Sequence, residues 1–184
     1  MIILSGLLNN VSNNSLFGNV INNSNMINEI KEGDKISSFE LYNQDNQLFK
    51  INDLHGKSNF IIFFYPKDSS PGCGIEAKNF SDLVPDFDKK NVKIIGISMG
   101  TIESHKKFVD KDKLNLSLLL DNNGDVAKLF NVYQKRYLSF LPNIERTTFL
   151  VDKNFIVQKI WKDIFFLGHA KNVLEFVNKN LNIN

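Results

Sequence analysis

Apolar residues in this chain gather into short dense runs separated by polar turns, and the runs alternate with stretches of helical spacing. Asn59 to Tyr65 (NFIIFFY) and Val92 to Ser98 (VKIIGIS) are nearly continuous apolar runs. They are short for a helix and rich in Ile and aromatic residues, which predicts strands buried on both faces. Leu116 to Leu120 predicts a third. Between the first two, Cys73, Ala77, Phe80 and Val84 recur at spacings of four, three and four, which makes one helix face. Ser70 and Pro71 open that helix as a capping residue and a first-turn proline, and Pro85 kinks or restarts it. Thr101 to Lys111 predicts a second helix, with Ile102, His105, Phe108 and Val109 on one face. A short helix holding Val126, Leu129 and Phe130 follows the turn Asp121 to Gly124. Ala170 to Leu181 predicts a closing helix with Val173, Phe176 and Val177 turned inward.

Two hairpins complete the pattern. Ile36 to Leu41 and Gln47 to Ile51 read as strands around Asn43-Gln44-Asp45-Asn46, with a loop from Asn52 to Lys57 after them. Thr147 to Val151 and Ile156 to Trp161 flank Asp152-Lys153-Asn154. Alternating strands and helices call for a central sheet covered on both faces, and the last hairpin makes that sheet mixed. The expected class is α/β: a thioredoxin-like fold, its central mixed β-sheet flanked by helices, with an N-terminal β-hairpin addition.

The 184 residues are enough for one domain with a full core. The first 28 carry no charge and are rich in Asn. We read residues 1–28 as a poorly ordered or loosely docked extension and 29–184 as the domain. With a net charge of +2 and both signs mixed along the chain, there is no basic stripe for nucleic acid and no polybasic membrane patch. No apolar run is long enough to cross a bilayer. One cysteine and three scattered histidines lack metal-ligand spacing, so neither a metal nor another cofactor is expected. A lone cysteine fits a reducing compartment, which points to the cytoplasm, with organellar targeting through the extension left open.

Cys73 lies in the first turn of a helix that follows a buried strand, where free backbone N–H groups and the helix dipole favour an anion. Anion formation alone is a weak device. For a thiol whose pKa falls from about 8.5 to about 6, the thiolate fraction at pH 7 rises from about 3% to about 90%. The accompanying loss of nucleophilicity takes back roughly tenfold to eighteenfold, leaving a gain of about two- to threefold. Catalysis at such a sulfur therefore needs donors that position an oxidant and stabilise the departing oxygen. Ser70, three residues before the cysteine, brings a hydroxyl to the same helix mouth, and Pro66 turns the chain there. Arg146 heads the strand Thr147 to Val151, and functional groups in α/β sheets gather at strand ends. Taken singly, each has a plainer reading: Ser70 as an N-cap, Arg146 as a surface cation, Glu76 as an acid near a helix start. His55, His105 and His169 read as structural.

Pro66, Ser70 and Cys73 at their mutual spacings resemble the peroxiredoxin active-site pattern. The stretch Phe63 to Leu83 (FFYPKDSSPGCGIEAKNFSDL) is similar to the bacterioferritin-comigratory, or PrxQ, branch. So are SHKKFV (104–109), LLLDNNGDV (118–126), RTTFLVD (146–152) and GHAKNVL (168–174), in family order. The resemblance implies a peroxidatic Cys73 that becomes a sulfenic acid. It also implies a peroxide-binding Ser70, a substrate-orienting Arg146, a pocket-shaping Pro66 and a Glu76 that holds the arginine. Two departures stand out. Lys78 occupies the place where many PrxQ proteins carry a resolving cysteine, and Ser70 replaces the commoner threonine. The implied mechanism is of the one-Cys kind. Its substrates are hydrogen peroxide and small organic hydroperoxides, and its reductant is an external thiol such as thioredoxin, glutaredoxin or a small thiol. The oligomeric state is monomer or homodimer. A redox sensor or relay built on the same cysteine oxidation is the alternative function.

Overall fold

A computed structural model describes residues 29–135 and 142–181. The extension expected over 1–28 lies outside the described residues. Three parallel strands form the centre of a seven-stranded sheet: β3 (Asn59–Phe64), β4 (Val92–Ser98) and β5 (Ser117–Leu120). β1 (Glu40–Asn43) joins β5 antiparallel and carries β2 (Leu48–Lys50) at one edge. β8 (Thr147–Val151) joins β3 antiparallel and carries β9 (Val157–Trp161) at the other. The result is the mixed sheet of a thioredoxin-like fold with an N-terminal hairpin.

The alternation of side chains along β3 divides the core in two. Ile61, Phe63 and Tyr65 face α1 (Pro71–Asp82), α2 (Val84–Asp88), α3 (Ile102–Asp112) and α5 (His169–Asn180), meeting Ala77, Phe80, Phe87, Phe108 and Val173. Phe60, Ile62 and Phe64 face the other way, toward α4 (Asp125–Leu129) and the chain around Phe39, Phe130 and Ile144. Gly96 of β4 lies between Phe63 and Leu118 in the strand register. A Cβ there would stand 2.6 Å from Leu118 Cδ2 and 2.7 Å from Phe63 Cζ, so this close packing of three strands needs glycine.

The N-terminal hairpin is shorter than its apolar residues predict. Ile36 lies outside it, buried, with its N–H donated to the Phe155 carbonyl at 2.9 Å. Ile51–Leu54 closes a 3-10 turn where a loop was expected. Asn43 sets the turn itself, its Oδ1 accepting the N–H groups of Asp45 and Gln47 at 2.9 Å each. A small antiparallel pair, β6 (Tyr133–Lys135) and β7 (Pro142–Ile144), has no counterpart in the sequence reading. It matters because it leads directly into Arg146.

Candidate active site

Strand register explains why Cys73 and Arg146 meet although 73 residues separate them. Phe64 is paired with Thr147, so the residue before Thr147 faces the point where β3 runs into the loop toward α1. Arg146 Nη2 donates to Cys73 Sγ at 3.2 Å. Its Nη1 is paired with Glu76 Oε2, on the same helix as the cysteine and three residues later. That spacing puts Cys73 and Glu76 on one face of α1. Both are buried, at 1% exposure each.

Burial pushes the Glu76 carboxyl up to about 7 against the pull of the Arg146 guanidinium. Its second oxygen, Oε1, has no hydrogen-bond partner among the described residues. For Arg146, burial works against the charge, but Glu76 and the Cys73 sulfur outweigh it and hold the group above its ordinary value. The Phe166 ring flanks this assembly. It lies 5.9 Å from Arg146 Cζ, and a Cβ on Gly72 would stand 3.0 Å from its Cδ1. His169, also buried, lies 2.9 Å from Thr148 Oγ1 through Nε2. Burial and then the Arg146 charge lower it to about 4, so it is neutral at pH 7.

Cys73, Glu76 and Arg146 are thus joined by direct contacts. Pro66 and Arg146 line one cavity of about 280 Å³, together with Glu145, Thr147 and Asp163. Ser70 stands at the N-cap position of α1, yet its hydroxyl caps nothing and donates to the Lys67 carbonyl at 3.2 Å. Its backbone carbonyl starts the helix by accepting the N–H of Gly74 at 2.8 Å. Lys78 pairs with Asp82 on the exposed side of α1 at 2.6 Å.

One cluster beside the site was missed in the sequence reading. Asp68 Oδ1 accepts the Tyr65 hydroxyl at 2.9 Å. Its Oδ2 accepts the Ser104 hydroxyl and lies 2.8 Å from His105 Nδ1. His105 is therefore not idle packing, since its acid partner lies 37 residues earlier in the chain. The available signal was an aspartate in the loop before α1 and a histidine on the apolar face of α3. Burial raises Asp68, and hydrogen bonds from His105, Ser104 and Tyr65 more than offset it, leaving the carboxyl below its ordinary value.

A buried sulfur at a helix mouth in a thioredoxin-like fold, with a guanidinium on it, has the arrangement of a thiol-based redox protein. Comparison with known proteins narrows this. The AhpC/TSA family matches residues 32–160, and the chain belongs to that family. A putative peroxiredoxin bcp of Helicobacter pylori (strain J99) is 37% identical over 149 residues, covering 80% of this chain and 97% of that one. Among solved structures, a cysteine-to-serine mutant of Xylella fastidiosa PrxQ superposes with a TM-score of 0.79 at 25% identity, covering 84% of this chain and 99% of its own. Peroxidoxin BcpB of Mycobacterium tuberculosis gives 0.78 at 29%, covering 84% and 100%. The chain is a peroxiredoxin of the Bcp/PrxQ kind, a thiol-dependent peroxidase with one cysteine in its 184 residues.

Proposed function

We propose that residues 29–184 act as one domain in which Cys73 reduces hydrogen peroxide and small organic hydroperoxides. The Cys73 thiolate attacks one peroxide oxygen; the S–O bond forms as the O–O bond breaks, and the departing alkoxide or hydroxide takes up a proton. Cys73 is left as sulfenic acid. An external thiol then condenses with it, forming a mixed disulfide and releasing water. A second thiol restores Cys73 and leaves as the disulfide. Thioredoxin, glutaredoxin or a small thiol can serve this step. A cysteine that must be returned to the thiol after every turnover suits a reducing compartment such as the cytoplasm.

In this reading Arg146 orients the peroxide and donates to the departing oxygen, and Glu76 holds one arm of its fork so that the other stays on the sulfur. Pro66 shapes the approach. Ser70 binds peroxide once its hydroxyl swings from the Lys67 carbonyl. The observation that carries the proposal is the 3.2 Å contact between Arg146 Nη2 and Cys73 Sγ inside a buried site.

Stopped-flow mixing with hydrogen peroxide tests it. Wild-type protein should lose its thiol far faster than free cysteine does, and Arg146→Ala should slow that loss by about 10²–10³-fold. A wild-type thiol no more reactive than free cysteine would sink the proposal.

A further inference from the structure

Cys73 is 1% exposed. A peroxide is small enough to be admitted to such a sulfur, but the thiol of a second molecule must come within bonding distance of it. The first turn of α1 must therefore open between the two halves of the cycle. What holds the closed form is the loop Tyr65 to Ser70, which joins β3 to that turn, and this loop is tied down at Asp68.

We propose that Asp68 and His105 are positioning residues for the peroxidase reaction: a buried clamp that holds the loop before Cys73 against α3 and β5, keeping the sulfur in its peroxide-reactive place and releasing it for reduction. The proposal rests on the peroxidase reading above. Three segments meet at the clamp. Within the loop, just past the end of β3, the Tyr65 hydroxyl donates to Asp68 Oδ1. From α3, Ser104 and His105 reach Oδ2. From β5, the Leu119 carbonyl faces His105 Nε2 at 3.3 Å. The α3 side is itself fixed, because Thr101 Oγ1 caps the helix by accepting the Ser104 N–H at 3.1 Å. Gly100 borders the clamp: a Cβ there would make ordinary contact with Asp68 Oδ2 at 3.6 Å and His105 Cε1 at 3.7 Å, and it is the φ of +150° that favours glycine.

The clamp lies two residues from Pro66 on one side and two from Ser70 on the other. Between Asp68 and Ser70, Ser69 is held at a φ of +53°, a left-handed conformation that a serine keeps only where its surroundings fix it. Ser70 then begins α1. Only Ser69 and the first turn of α1, opened by Pro71, separate Asp68 from Cys73, so a shift at Asp68 is felt at Ser70 and the helix mouth. The Tyr65 ring stacks against Phe63 and lies in the same apolar cluster as Cys73. The clamp thus joins the floor of the site to its rim. A buried polar network of this kind holds while its partners are in place and is costly to disrupt once one member is lost. In this proposal, loss of a partner shifts the population toward the open form.

The two half-reactions should respond in opposite ways. Thiol loss with hydrogen peroxide, and consumption of preformed sulfenic acid by dithiothreitol, are measured separately in single turnover. Both are normalised to titratable Cys73. Asp68→Asn and His105→Ala should slow the first by about tenfold or more. The second should stay unchanged or rise. His105→Asn, which keeps a donor at the Nδ1 position, should recover most of the peroxide rate. A folded Asp68→Asn whose peroxide rate stays within about twofold of wild type would overturn the clamp. So would both rates falling in the same proportion, which marks a purely structural role. Should His105→Ala fail to fold, the split in Asp68→Asn alone decides. Failure of the peroxidase reading is distinguishable, because it appears in the wild-type thiol before any variant is compared.

Discussion

Glu76→Gln should make the protein more stable and less reactive at alkaline pH, and both effects should vanish in acid. Glu76 is buried, its Oε1 lacks a partner among the described residues, and its carboxyl is raised from 4.5 to about 7, with burial as the dominant cause. A carboxyl that titrates higher in the folded than in the unfolded chain contributes stability that is full below about 4.5 and is lost as pH rises through about 7. The difference corresponds to ~3 kcal/mol at about 1.36 kcal/mol per pH unit. For a domain of this size that is roughly 6–12 °C in Tm. Glutamine keeps the shape and does not titrate. The Tm of Glu76→Gln minus that of wild type should therefore climb between pH 4.5 and about 8 and then level off.

Reactivity should run the other way. Above about 7 the ionised carboxylate grips Arg146 Nη1, and below it a neutral carboxyl holds the guanidinium more weakly. The wild-type rate of thiol loss, divided by the Glu76→Gln rate at each pH, should rise through an inflection near 7. Taking the ratio removes whatever pH dependence the two proteins share. Calorimetry supplies the first curve and stopped-flow fluorescence the second. A Tm difference flat from pH 4.5 to 8 would refute the argument, as it would mean that Glu76 ionises in the fold as it does in water.

Two glycines give further checks. Gly96→Ala puts a methyl 2.6 Å from Leu118 Cδ2 and 2.7 Å from Phe63 Cζ in the middle of the sheet. It should lower the unfolding free energy by about 1–3 kcal/mol, read as a lower denaturant midpoint at an unchanged slope. Gly72→Ala meets the Phe166 ring at 3.0 Å and Arg146 Nη2 at 3.6 Å. It should slow thiol loss by about tenfold or more, with little change in Tm.

The parts of the fold legible in the sequence were those whose pattern has one physical solution. NFIIFFY and VKIIGIS leave no polar face, so they must be covered on both sides, and they became β3 and β4. Ser70-Pro71 followed by an apolar stripe marked the start of α1. β6 and β7 were illegible because strands of three residues show no periodicity and exist only through each other and through Ile144 in the core. The first hairpin was overextended because Ile36 has the composition of a strand residue but pairs across to Phe155. Cys73 and Arg146 were singled out from position in sequence and family pattern, and the structure puts them in contact. Asp68 and His105 were not paired, since a loop carboxylate and a helix histidine 37 residues apart show their partnership only once the fold brings the loop after β3 against α3.

The arrangement around Arg146 explains why the site combines a guanidinium with a buried carboxylate rather than using a lone cation. An ammonium offers one point charge on a flexible stem, and nothing fixes which neighbour it serves. The guanidinium is a rigid plane with diverging donors, so taking hold of Nη1 also aims Nη2. Glu76 can take that hold because it sits one helical turn beyond Cys73, on the same face of α1. The carboxylate is costly to bury, and its Oε1 has no hydrogen-bond partner among the described residues. A neutral partner would cost the fold less but would grip the fork less firmly. In the proposed reading, positional accuracy at the sulfur is obtained at the expense of stability, and among the described residues the buried side-chain oxygen left without a partner lies on the residue that holds the guanidinium.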